Sequence, residues 1–499
     1  VNVTLVSPPA LIDPGDIMTT GIHRFPLLLA QLAAVLDRHG HAVTVVDSVG
    51  LAPRAVRPRG KLWVHGLTPD EAALRMMEKR PNAVFVMADT VTAHDAVLDL
   101  IRAIRNRQPA LMLGVLENTQ SVTGYSLRRV LPDFFSAGAS HVVTGESEER
   151  VARFIENPTD WPSIDGVYGL NRNEIQGRAP ESVIEKLDDL PFPDWSKIPL
   201  EGHWSLGYAH GPTEQHYLPL LTSRGCPYPC AFCVVPETSL GRWRKRSAVN
   251  VVQEIVQGIN TRGVREFHVE DLNPTLDEER LRALSSLILE QKLDITWRIV
   301  SGGKLDPLKK KDTFELMAAS GCDYFSFSPE SGSPQVLAAM KKTFNHDLAL
   351  ESVREMARVG IRTQACFVIG FPGETDEDLL DTRRYVKALV KAGLDETAFF
   401  VAAPLPGSAL AETVGERMNP SVLTFSPPNG PRGSRLRWWR RQLYGTFLVN
   451  KTLRRPNEIL AQAWRFIRRR FKTKMEMAPS RALRLRWTAA RCARAKTPT

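Results

Sequence analysis

Short apolar runs alternate with stretches of helical periodicity through the first 150 residues of this chain. Val3–Ser7, Ala42–Val46, Ala83–Ala88, Leu111–Leu113 and His141–Val143 read as buried strands. Between them, Leu27–Arg38, Ala93–Arg105 and Leu127–Ala137 repeat apolar residues at helical spacing, and Gly40 closes the first as a C-cap. Strands alternating with helices predict a parallel, doubly wound sheet, Rossmann-like or flavodoxin-like. Ligands of such sheets sit beyond the C-terminal strand ends. The loops there are Ser7–Thr20, Asp47–Val49, Ala88–Thr92, Val115–Ser121 and Thr144–Glu148.

Residues 151–217 are punctuated by seven prolines, which predicts a linker, with a small hairpin at Val167–Leu170 and Glu174–Gln176. Alternation resumes over 218–425. Strands are expected at Leu218–Thr222, Glu266–Val269, Ile295–Val300, Tyr324–Phe327, Thr363–Ile369 and Glu396–Val401. Helices fall between them, at Val249–Thr261, Glu278–Glu290, Lys311–Ala319, Leu348–Val359 and Thr375–Ala392. Six β/α units predict a partial (β/α)6 barrel, whose chemistry belongs at the C-terminal mouth. Residues 426–499 predict a basic helical tail whose end, Ala489–Thr499, is disordered.

Composition changes this picture in the tail. The 499 residues carry a net charge of +10, with 43% hydrophobic and 24% charged residues, ordinary for a soluble protein. From residue 431 onwards there are 20 Lys and Arg against two Glu, so the rest of the chain is mildly acidic. A nucleic-acid-binding body is therefore not indicated. Arg435–Arg441 and Trp464–Phe471 interleave arginine with aromatic residues, which suits a packed helix, a membrane surface or an anionic partner. The apolar start reads as a strand and not as a signal peptide, and no run approaches the length of a membrane span, so a cytoplasmic protein is expected.

Three of the six cysteines, Cys226, Cys230 and Cys233, stand at C-x3-C-x2-C just after the first barrel strand. A cubane [4Fe–4S] cluster held by three thiolates keeps one iron open for a ligand. A zinc site or disulfides are the alternatives, although His210 and His216 lie at no zinc-finger spacing and no second cysteine pair exists. Cys322 and Cys366 read as small buried apolar residues. Downstream come Glu270-Asp271, Pro329-Glu330-Ser331-Gly332-Ser333, Gly370-Phe371-Pro372-Gly373-Glu374-Thr375 and Ala403-Pro404-Leu405-Pro406-Gly407-Ser408, each after a barrel strand.

In this order the motifs resemble those of the radical S-adenosylmethionine (SAM) superfamily. The N-terminal half, through Leu5–Pro9, Leu32–Asp47 and Thr144–Glu149, resembles the cobalamin-binding domain that precedes the barrel in many of its members. The resemblance implies that the three cysteines hold a [4Fe–4S] cluster and that SAM binds at Phe232, Arg246 (or Arg244), Glu270, Glu330, Ser331, Gly370 and Gly373. Each has a plainer reading as loop packing, surface charge, helix capping or turn geometry. Cobalamin contacts would lie among Ser7, Asp47, Asp89, Thr90, Glu117, Gly145 and Glu146. The D-x-H-x-x-G motif of methionine-synthase-type domains is absent, so no histidine of this domain is expected to ligate cobalt. The implied activity is methylation of an unactivated carbon, or phosphorus, of a small antibiotic-type intermediate, fed by a flavodoxin- or ferredoxin-type electron donor. An oxidative cyclase of the same plan, and a cobalamin or SAM sensor whose tail binds a polyanion, are the alternatives.

Overall fold

The computed structural model describes residues 1–16, 21–310, 312–414 and 425–494. Parts of the expected loop Ser7–Thr20, Lys311 and the last five residues of the tail lie outside these.

The N-terminal sheet has seven strands: β1 (Asn2–Ser7), β2 (Ala42–Asp47), β3 (Ala83–Ala88), β4 (Met112–Glu117), β5 (His141–Val143), β6 (Val167–Asn171) and β7 (Glu174–Gly177). Their order is β7-β6-β5-β4-β3-β1-β2, with β1 to β5 parallel. That is the flavodoxin-like winding, whose connections reverse between β1 and β3 and open a crevice there. Every residue of β3 is buried, as a central strand covered by helices on both faces requires. The hairpin β6–β7, expected inside a linker, adds to this sheet antiparallel to β5. Its turn residues Arg172 and Asn173 sit at φ 50° and 67°, the hand that matches strand twist.

Six further strands, β8 (Tyr217–Leu220), β9 (Glu266–Val269), β10 (Thr296–Gly303), β11 (Cys322–Glu330), β12 (Arg362–Ile369) and β13 (Glu396–Val401), pair in parallel in sequence order. This is the expected open barrel of six β/α units. Its four long helices start at side-chain caps: Ser247, Asp277, Asn345 and Thr375 each accept a backbone N–H of the first turn.

Three features depart from the expectations. Leu127–Ala137 splits into a 3-10 turn, Leu127–Arg129, and a helix, Leu131–Ala137, because Pro132 sits in the first turn. A small antiparallel sheet of Ala10–Ile12, Val56–Arg59 and Leu62–His65 went unread, its strands being too short for a periodicity. The tail forms three helices, Pro431–Arg454, Pro456–Arg468 and Lys474–Arg494. The first buries Leu436, Trp439, Leu443 and Phe447. The last packs Met477, Leu485 and Ala489 in one cluster with Ile12, Val49 and Val56 of the N-terminal domain. Ala489–Arg494 are therefore helical and not disordered.

Candidate active site between the two domains

The cysteine loop is set by buried polar anchors. Asp271 accepts the Thr222 N–H and hydroxyl, each at 2.7 Å, and the Ser223 hydroxyl. Gly225 follows at φ +77°, and a Cβ there would lie 2.0 Å from the Arg242 carbonyl, so only glycine lets the chain turn into Cys226. Cys226, Cys230 and Cys233 are free thiols that line one cavity of about 300 Å³ at the barrel mouth. Burial raises the Cys230 thiol and pushes Cys233 up to about 12, so their thiolates need a cation to form. Among the described residues no three His, Cys, Asp or Glu side chains converge on a point that could hold a single ion. In a cubane each thiolate would sit on a different iron. Three free thiols on one wall of a cavity fit such a cluster.

Glu330 ends β11 at φ +67°, buried and paired with Lys342 at 3.3 Å. A non-glycine residue held there stores roughly 1–3 kcal/mol of strain, which aims its carboxylate into the cavity. Phe232 also lines the cavity. Ser331 does not: its hydroxyl accepts the Ser333 N–H at 3.1 Å and orders the turn. Gly370 and Gly373, at φ +78° and +84°, shape the next turn, where the Gly370 N–H donates to Glu374. Burial holds the Glu374 carboxyl up to about 7.

Arg246 is committed elsewhere. It donates to the Leu221 carbonyl at 2.9 Å and to Asn250 at 2.6 Å, and it pairs with buried Glu254. The alternative, Arg244, pairs with Glu146. Neither guanidinium lines the cavity, so the expectation that one of them grips a SAM carboxylate is corrected. Glu270 meets His210 Nδ1 at 2.6 Å. Although burial opposes its ionisation, Glu270 stays charged beside that partner, while burial holds His210 neutral, down to about 3.

A second cavity, of about 80 Å³, lies at the C-terminal ends of β1, β3 and β4, against β8 of the barrel. Ser7 and Asp89 line it, with Asn118, Gln120 and Glu270. Arg24, Val122 and Ser301 line both cavities, so the two adjoin. Of the other candidates in these loops, Thr90 bonds Thr92 outside the cleft. Asp47 pairs with His203, whose Nδ1 meets His23 Nε2 at 2.6 Å. Glu117 accepts the N–H groups of Leu127 and Gly145, at 2.8 and 2.6 Å. Gly145, at φ +72°, backs onto Pro180. Glu146 takes the Ile184 N–H at 2.7 Å as well as Arg244. These four, with Thr90, build and dock the domain without facing the cleft.

The docking is specific. Arg224, two residues before the first cysteine, pairs with Glu148 at 2.6 Å, both buried. Glu237, just after the last, accepts from Ser126, Arg128 and Arg129 at 2.7, 3.0 and 2.9 Å. The loops at the strand ends of one domain are thus bolted to the cysteine loop of the other. Sequence reasoning missed Arg24, His210, Lys342, Lys474 and Arg481 as cavity residues, and it placed Cys366, which lines the cavity, in the core. The only signal for the last two cations was the basic tail.

Burial shifts titratable groups in both directions. His23, His65, His94, His141 and His210 all titrate below their ordinary range, His141 down to about 4. Unfolded, they bind protons as pH falls through about 6.5. Burial raises the carboxyls of Glu117, Glu254, Asp271, Glu330, Glu374, Asp395 and Glu396, Glu117 and Glu374 up to about 7, and these act in the opposite sense.

Residues 220–386 match the family model of the Radical SAM superfamily. The chain is 26% identical over 418 residues to the uncharacterized methyltransferase PH0819 of Pyrococcus horikoshii, covering 83% of each chain. It is 26% identical to the cytidylyl-2-hydroxyethylphosphonate methyltransferase of Streptomyces wedmorensis, covering 82% of this chain and 80% of that one. Its fold matches the radical SAM methyltransferase TsrM of Kitasatospora setae, solved with cobalamin and a [4Fe–4S] cluster, at a TM-score of 0.64 and 18% identity, over 83% of this chain and 75% of that one.

Proposed function

We propose that this chain, a radical SAM protein with a cobalamin-type N-terminal domain, is a cobalamin-dependent methyltransferase of a small specialised-metabolism substrate. One observation carries the reading: the cavity lined by the three cysteines adjoins the crevice at the β1/β3 switch point. A ligand in each would meet at Arg24, Val122 and Ser301. Cys226, Cys230 and Cys233 would hold the cluster, and Glu330 and Phe232 would position SAM beside it. Ser7 and Asp89 would border cobalamin. Bound there, the cluster and SAM supply a hydrogen-abstracting radical, and cobalamin supplies a carrier for the methyl group.

The chain's own residues supply geometry. Asp271 and Gly225 fix the cysteine loop, and the Arg224–Glu148 and Glu237 contacts fix its distance from the other domain. Such positioning is worth several powers of ten in rate when reacting groups must meet in one orientation. With its cluster rebuilt anaerobically, the protein is expected to bind cobalamin about one to one. Ser7→Trp, which fills the smaller cleft, should weaken that binding at least tenfold; undiminished binding by that variant would move cobalamin elsewhere.

The partners follow the same reading. A small-molecule substrate and a flavodoxin- or ferredoxin-type reductant serve the site. Among the described residues no helix is long and apolar enough to cross a membrane. The helix Pro456–Arg468, however, buries no side chain, and it exposes Leu460, Trp464 and Ile467 beside Arg468, Arg469 and Arg470. An apolar stripe flanked by arginine suits an anionic lipid surface. Co-sedimentation with phosphatidylglycerol vesicles, reversed by salt and absent for phosphatidylcholine, is the expected result; no sedimentation with either would remove the membrane from the account.

A further inference from the structure

The charges along the large cavity are answered from within the protein. Glu270 acts on Arg24 and Lys474, Asp16 on Arg481, Asp306 on Lys304 and Glu330 on Lys342. The lining asks for no further ion. What it leaves open is apolar surface and a buried amide.

Alternate residues of a strand face the same side. Along β12 these are Gln364, Cys366 and Val368, and along β13 Ala398, Phe400 and Ala402, all on the cavity. The register sets Gln364 beside Glu396 and Val368 beside Phe400. Barrel strands run towards the mouth, so Gln364 lies about 13 Å deeper than Val368. Below it the barrel is closed. Glu396 takes the Tyr324 hydroxyl and the Met475 N–H, and Lys474 Nζ donates to the Val300 carbonyl at 2.6 Å. The start of the last tail helix thus crosses from β13 to β10 and forms the cavity floor.

Gln364 is 4% exposed. Its Oε1 accepts the Ser326 hydroxyl at 2.9 Å, which leaves its Nε2 for the cavity, and no group among the described residues takes that N–H2. A buried donor left unpaired costs on the order of 1–3 kcal/mol, which a ligand oxygen relieves. Phe400 and Met475 also line the cavity and are only partly buried. A mostly apolar hollow with a few placed polar groups is the usual form of a small-molecule site.

We infer that the deep end of the cavity, from Gln364 to the Phe400 and Met475 side chains, seats the substrate, which is an uncharged molecule with an aromatic or alkyl group and a carbonyl oxygen that accepts the Gln364 N–H2. The carbonyl end lies on the floor, and the rest rises past Phe400 to the mouth, where the two cavities adjoin. Gln364 is then a positioning residue, and the tail helix limits how long a substrate fits. This assignment rests on the proposed methyltransferase reading and names its substrate class.

The test is fluorine NMR titration of the full chain, anaerobic, with its cluster rebuilt, SAM and cobalamin present and no reductant. The probes are 4-fluorophenylacetamide, 4-fluorophenylacetate and 1-ethyl-4-fluorobenzene. The amide is expected to bind at least tenfold more tightly than the carboxylate, whose charge finds no spare cation. Gln364→Leu should lower the ratio of amide to hydrocarbon affinity about fivefold or more. Phe400→Ala should weaken all three probes. A carboxylate that binds as tightly as the amide, an unchanged ratio in Gln364→Leu, or probes displaced by SAM or cobalamin would each overturn the assignment. Should Gln364→Leu fail to fold, the amide and carboxylate on the unaltered chain still decide. Wild-type protein that cleaves SAM once reductant is added but binds none of the probes would refute the assignment and leave the methyltransferase reading standing. Amide-selective binding without SAM cleavage would do the reverse.

Discussion

Alanine at Cys226, Cys230 or Cys233 is expected to cut SAM cleavage about a thousandfold or more, a loss of roughly 4 kcal/mol of transition-state stabilisation, in a protein that still folds. The thiols open on the cavity, and their sulfurs take contacts from Asn273, to Cys226 at 3.8 Å, and from the Val235 backbone, to Cys233. Removing one sulfur would therefore cost little packing but take from one iron of the proposed cluster its protein ligand. Cys322 provides the contrast. It is 3% exposed, and its thiol donates to the Tyr324 carbonyl at 3.8 Å. Cys322→Ala should cost about 1 kcal/mol of stability and leave iron content and turnover unchanged. Iron and sulfide analysis, with chromatography of 5′-deoxyadenosine, reads both sets. A loop variant that keeps its full iron and turnover would contradict the cluster assignment.

Glu148→Ala is expected to cost about 3 kcal/mol, because it leaves the buried Arg224 guanidinium only its longer contact to Glu146, at 3.9 Å, which Arg244 already shares. Both side chains are almost wholly buried, so solvent does not screen the pair. The loss should extend to SAM cleavage, since Arg224 adjoins Gly225 and the first cysteine. The double variant Arg224→Met with Glu148→Leu fills the same space without charge and should regain most of the stability. Urea denaturation of the three variants makes the comparison, read as midpoints because two domains unfold together. An unshifted midpoint for Glu148→Ala would mean that the pair does not hold the domains.

What could be read from the sequence was what is local. β3, β5, β9 and β13, and the helices Leu27–Arg38 and Glu278–Glu290, begin and end where the periodicity places them. Each is a run whose burial pattern is set within its own length. That the cysteines, Phe232 and Glu330 gather at one cavity followed from the same local signal, since each stands in a short motif after a strand. Arg246, Asp47 and Glu146 were misassigned because a charged side chain is used by whatever lies opposite it. Glu146 is 98 residues from Arg244, and Asp47 is 156 from His203, separations that no spacing rule spans. The hairpin β6–β7 was found, but its place on the N-terminal sheet was not, since its partner β5 is set by tertiary pairing. The tail was read from its charge, which marks a surface or a site equally well; only the fold shows Lys474 and Arg481 turning into the cavity.

The most direct test is anaerobic. Protein with a rebuilt cluster is given cobalamin, a reductant, methyl-deuterated SAM and a panel of aromatic and alkyl carbonyl compounds, and the products are weighed by mass spectrometry. The account predicts 5′-deoxyadenosine together with a product carrying the deuterated methyl group. Formation of 5′-deoxyadenosine with a cyclised or rearranged, unmethylated product would contradict methyl transfer and assign the chain to oxidative cyclisation. A protein with an intact cluster that binds SAM and cobalamin yet turns over neither would contradict catalysis and leave a sensor.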